Sequence, residues 1–109
     1  MAKQERNVRM SLQTLKVLEA FLENPMQQLS GADVHQSCGI ASGTLYPILL
    51  RLESAGWFVS QWESIDPSSE GRPRRRLYRL TPTGLRRASE VFASFNRGVS
   101  HEPAQGFGT

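Results

Sequence analysis

Between Gly71 and Ser89 the chain carries seven arginines, at 72, 74, 75, 76, 79, 86 and 87, and no acidic residue. Guanidinium groups gathered this closely repel one another unless an anion offsets them, and phosphate is the natural anion. The other reading of such a block is a solvated basic patch. No catalytic chemistry competes with these two. The sequence has no Ser/His/acid set, no phosphate-cradling glycine loop and no paired carboxylates on one face. His35 and His101 stand at no metal-ligand spacing, and the single Cys38 allows neither an internal disulfide nor a metal cluster, which fits a reducing compartment. The residue types therefore argue against an enzyme and imply no cofactor and no metal.

A cationic tip needs elements to carry it. From Ser42 to about Ala55, Leu45, Ile48, Leu49 and Leu52 recur at i, i+3, i+4 and i+7, which places four apolar side chains on one buried face. Thr44, Pro47, Arg51 and Ser54 fall on the opposite face. Ser42 is in the place of an N-cap, and Gly56 suits the left-handed residue after the last turn. Taken alone, this pattern also describes an ordinary core helix. Ahead of it, Ser30 and Asp33 form a capping-box pair, with Leu29 and Val34 at the staple positions, opening a short helix that Gly39 stops. Two helices joined by Gly39-Ile40-Ala41 read as a helix-turn-helix whose second helix is the reader. Trp57 to Glu63 reads as a strand, Ser64 to Arg74 as a polar turn, and Arg75 to Leu80 as the returning strand, so the arginines collect at the tip of a hairpin.

At 109 residues and a net charge of +3 the chain is long enough for one domain with a modest core, which dimerisation would supplement. Residues 1–10, with Lys3, Arg6 and Arg9, read as a flexible arm. Ser11 caps a helix to about Glu23, on which Leu12, Leu15, Val17, Leu18, Phe21 and Leu22 cover an arc of roughly 220°, more than one core contact needs. Thr81-Pro82 starts the last helix, where Leu85, Ala88, Phe92 and Phe95 form a short coiled-coil seam. Leu12, Leu15, Leu18 and Leu22 together with that seam are the expected dimer interface. The reading divides the chain into 11–80 as the DNA-binding domain, 81–96 as the dimerisation helix and 97–109 as a disordered tail, because Gly98, Pro103, Gly106 and Gly108 interrupt a polar stretch. No apolar run is long enough to span a bilayer and no secretory leader is visible, so the expected place is the cytoplasm.

The run Ser42-Gly43-Thr44-Leu45-Tyr46-Pro47-Ile48-Leu49-Leu50-Arg51-Leu52-Glu53, then Gly56-Trp57, Trp62-Glu63, Gly71-Arg72-Pro73-Arg74-Arg75 and Tyr78 to Gly84, resembles the PadR family of winged-helix transcriptional regulators. The likeness covers about Leu29 to Arg87, although Gly31-Ala32 stands where family members often have Gly-Tyr. The resemblance implies an α+β, mainly α, fold: a winged helix-turn-helix with a two-stranded wing and one C-terminal dimerisation helix. It implies a homodimeric repressor on an inverted-repeat operator in double-stranded DNA. Ser42, Gly43, Thr44, Tyr46, Pro47 and Arg51 would serve on the reader helix, and Arg72, Pro73, Arg74 and Arg75 at the wing. Two other readings stand beside this one. One is a winged helix that binds an acidic protein surface; the other is a repressor sensing a planar aromatic compound at the dimer interface, with Trp57, Phe92 and Phe95 as walls.

Overall fold

Local capping sets where the helices begin. In the computed structural model, which describes Val8 and residues 10–107 and side-chain surroundings as far as residue 94, helix α1 spans Leu12–Leu22. The Thr14 backbone N–H donates to the Ser11 hydroxyl at 3.1 Å, and the two hydroxyls share a hydrogen bond of 3.0 Å. Helix α2, Gly31–Cys38, opens with a complete capping box: Asp33 N–H donates to Ser30 Oγ at 3.1 Å and Ser30 N–H to Asp33 Oδ2 at 3.0 Å. Gly39 ends it at φ 74°, a left-handed conformation that an L side chain resists. Helix α3, Ser42–Ser54, follows directly.

The cap expected at Ser42 does not form. Ala41 holds the N-cap position in an extended conformation without a side-chain bond, so Ser42 is already the first helical residue. The connection itself, Gly39-Ile40-Ala41, is the one the sequence suggests. At the other end Gly56 takes φ 84°, as expected. Strand β2, Phe58–Trp62, then leads through a one-turn helix α4, Pro67–Glu70, to strand β3, Arg76–Leu80, and helix α5, Pro82–Phe107.

β2 and β3 pair antiparallel from Phe58↔Leu80 to Trp62↔Arg76. This hairpin is the expected two-stranded wing, and Leu29 and Ser30 add a short strand β1 against Tyr78 and Leu77, giving the sheet order β1-β3-β2. Two residues acquire strand character only through this pairing across the chain. Likewise, α5 does not stop at Asn96 in favour of a tail but continues to Phe107. Gly98 and Gly106 each weaken a helix by about 1 kcal/mol and Pro103 by about 3 kcal/mol, yet none forbids helical angles, and Glu102, Ala104 and Gln105 are good helix formers.

The core gathers Val17, Leu18 and Phe21 of α1, Val34 of α2, the four apolar residues of α3, then Trp57, Phe58, Tyr78, Leu80 and Ala88. Phe21 and Phe58 stack at 4.5 Å between ring centres. Leu18 and Ala88 are both wholly buried in this core, which removes them from the expected dimer interface: a side chain without exposed area cannot meet a partner. Leu12 is 65% exposed and Leu85 36%, while Leu15, Leu22 and Phe92 are half-buried, so these keep a surface to offer. The Phe95 side chain lies outside the described residues. Val8 and Met10 pack partly against the core, so the end of the N-terminal segment is not a free arm; Lys3, Arg6 and Arg9 lie outside the described residues.

Thr81 joins the end of the reader helix to α5. Its N–H donates to Trp57 O at 2.9 Å, its hydroxyl donates to Gly56 O at 2.7 Å, and that hydroxyl accepts the Gly84 N–H at 2.9 Å. Gly84 lies so close to the Trp57 carbonyl that an added Cβ would overlap backbone. Backbone cannot step aside as a flexible side chain can, so Gly84→Ala should destabilise the fold by about 1–3 kcal/mol, measured by chemical denaturation. Unchanged stability would show that this junction is loose.

Candidate nucleic-acid interface

The apolar stripe of α3 decides which of its residues can meet a partner. Leu45, Leu49 and Leu52 are fully buried and Ile48 nearly so, which turns Ser42, Gly43, Thr44, Pro47, Arg51 and Ser54 outward, all exposed. Thr44, Pro47 and Arg51 line a shallow hollow together with Ser11 and Gln13 from the start of α1. Tyr46 is 42% exposed and lies over Gly31, where any Cβ would overlap its ring and hydroxyl. The glycine of the Gly31-Ala32 pair thus makes room for the reader tyrosine, a relation that sequence reading missed.

The wing departs from expectation in its charge. Residues 71–89 contain no acid, but the fold brings Glu63 back to the tip against Arg72 and Arg75, with Glu70 near enough to act on Arg72. Arg72 is held by Glu63 through two parallel bonds, Nη1 to Oε1 at 2.8 Å and Nη2 to Oε2 at 3.0 Å, and the Arg75 backbone N–H adds a third donor to Oε1 at 3.2 Å. The expectation that phosphate alone offsets the block is therefore corrected for Arg72: a carboxylate of its own chain already does so. The guanidinium bond first, with the Arg75 N–H and the nearby charges, lowers the Glu63 carboxyl to about 2, and the same bond raises Arg72.

Arg74 gives one of its N–H groups to Ile65 O at 3.0 Å and is otherwise exposed, as are Pro73 and Arg75. A guanidinium has five donors, so Arg74 keeps most of its capacity for an outside acceptor. The turn that presents these residues is closed by Asp66, which accepts Ser68 N–H and Ser69 Oγ at 3.1 Å each, and by Gly71 at φ 70°.

Reader helix and wing are connected. Ser60 Oγ of β2 donates to Glu53 Oε2 of α3 at 2.5 Å, Arg76 Nε of β3 donates to Ser60 Oγ at 3.0 Å, and the Arg76 guanidinium lies 5.0 Å over the ring of Trp62. Sequence reading found the helix and the hairpin but not this chain of contacts, whose members are acid, hydroxyl and cation on three separate elements. Of the residues proposed as effector walls, Trp57 is 4% exposed and part of the core, with its indole N–H unpartnered beside a cleft lined by Arg87, Glu90, Val91 and Ser94. His35 Nδ1 is bonded to Ile40 O at 2.6 Å, and no group of His, Cys, Asp and Glu among the described residues could hold a metal ion. No helix among the described residues is long and apolar enough to cross a membrane.

With this geometry in hand, comparison with known proteins adds an independent line. The transcriptional regulator PadR-like family is matched over residues 26–90. Transcriptional regulator Rv3488 of Mycobacterium tuberculosis is 42% identical over 74 residues, covering 62% of this chain and 64% of that protein. The chain thus matches less than two thirds of that relative's length. Among solved structures, a PadR family transcriptional regulator from Eggerthella lenta is similar at 28% identity and a TM-score of 0.62, over 89% of this chain and 82% of that one. A transcriptional regulator homologue from Pyrococcus horikoshii, at 14% identity, shares the fold with a TM-score of 0.70 over 84% of this chain and 83% of that one.

The Glu63–Arg72 pair generates a pH dependence with a definite sign. A carboxyl lowered on folding contributes stability in full above its ordinary value near 4.5 and loses it as pH falls through about 2. Stability should be flat in this respect above that window and fall within it, and Glu63→Gln should remove that component of the acid limb. A Glu63 titration midpoint near 4.5 by carboxyl NMR would show that Arg72 does not hold it.

Proposed function

The chain belongs to the PadR-like family of transcriptional regulators, not to a family of enzymes, and from that premise we propose that it binds double-stranded DNA as a homodimeric repressor at an inverted-repeat operator. The observation that carries this reading is the outward face of α3, with Ser42, Gly43, Thr44, Tyr46, Pro47 and Arg51 accessible in front of a wholly buried rear face. A reader helix must enter the major groove without yielding, and its side chains must reach base edges. Arg51, Arg74 and Arg75 are the residues for phosphate contact; Arg72 and Pro73 shape the wing. Phosphate contacts supply affinity and register, whereas Thr44 and Tyr46 supply sequence choice. Leu12, Leu15, Leu22, Leu85 and Phe92 offer the apolar surface for a second copy, and the cytoplasm is the compartment where such a repressor would act.

A planar aromatic effector at the dimer interface has weaker support, since Trp57 is committed to the core. An acidic protein partner would use only the wing and leave unexplained a reader face whose exposed residues from Ser42 to Pro47 carry no charge.

Selection of bound fragments from random DNA should return an inverted repeat. With three phosphates neutralised per subunit, the log-log dependence of affinity on salt should have a slope of roughly −5. Replacing Arg74 and Arg75 by alanine should weaken binding to all sequences alike and reduce the slope to roughly −2. Affinity insensitive to salt, or an unaltered slope in the double variant, would overturn the charge assignment.

A further inference from the structure

Leu50 occupies the middle of the reader helix and is 56% exposed. At 3.6 residues per turn it lies about 150° around the helix from the line of the four buried residues, close to the centre of the outward face. A single exposed leucine on a surface is ordinary. This one has unusual neighbours: Gly43, Tyr46, Pro47 and Ser54 around it carry no charge. Charge stands at its flanks instead: Arg51 on one side and, on the other, Glu53, whose carboxylate is held by the Ser60 hydroxyl with Arg76 behind it. An uncharged strip with an exposed leucine at its centre, Arg51 on one rim and a carboxylate masked by Ser60 on the other, fits a major groove, where phosphates run along the rims and the thymine 5-methyl is the apolar group on the floor.

Building on the DNA-binding reading above, we infer that Leu50 reads the 5-methyl group of a thymine near the centre of each half-site. Burying one methyl is worth about a fourfold change in affinity. Thr44 and Tyr46 choose bases nearer the helix start, and Leu50 discriminates thymine from cytosine at its own position.

The test takes the half-site recovered by selection and replaces each thymine in turn with deoxyuridine, which removes only the methyl, with binding followed by fluorescence anisotropy at fixed salt. The wild-type chain should bind one such substituted site about fourfold more weakly per half-site. Leu50→Ala should bind the thymine and deoxyuridine forms of that position equally. Because the decisive change is made in the DNA, a folding defect cannot imitate it. Equal binding of both forms at every position by the wild type, a half-site without thymine, or a difference that persists in Leu50→Ala would overturn the inference while leaving DNA binding intact. Failure to select any sequence would overturn both.

Discussion

The structure depends on one packing constraint: Leu45, Ile48, Leu49 and Leu52 are wedged between α1, α2 and the sheet, and α3 cannot rotate without exposing them. Truncating any one of these to alanine would typically cost about 2–5 kcal/mol, a large part of the 5–15 kcal/mol that keeps a small domain folded. Fixing one face of a helix also fixes the other. The residues that reach outward, from Ser42 to Ser54, are therefore determined by what packs behind them. Pro47 removes one helical hydrogen bond near the start, and the buried rear face keeps the helix in place there regardless.

The wing solves a different problem, that of presenting cations without flying apart. The ion pair between Glu63 and Arg72 ties the two sides of the hairpin. Arg76 stacks on Trp62 and reaches Ser60, which in turn holds Glu53 of the reader helix. Some arginines thus brace the wing so that others, at 74 and 75, stay available. Helix and wing form one surface because Phe58, Tyr78 and Leu80 share the core of the reader helix and the Glu53–Ser60–Arg76 contacts bridge them on the outside.

Much of this was legible from short-range pattern. The caps at Ser11, Ser30 and Thr81, the left-handed glycines 39 and 56, and the buried face of α3 all follow from residues within one or two turns of each other. What was not legible depends on pairing across the chain. Leu29 and Ser30 are too few to show a strand without β3, and Glu63 lies outside the acid-free stretch that made the arginines look uncompensated. Nor could periodicity separate Leu18, which is buried in its own subunit, from Leu12, which is not, since both lie on the same wide apolar arc.

In the proposed function, the outward face of α3 and the wing form a single pre-shaped surface for DNA. Mapping amide chemical shifts while titrating the selected duplex tests it most directly. Perturbations should gather on Gly43 to Ser54 and on Arg72 to Arg76, with Glu53 and Ser60 moving together, while the rear of α1 stays quiet. Perturbations confined to α1 and α5, or a wing that does not respond when the helix does, would contradict it.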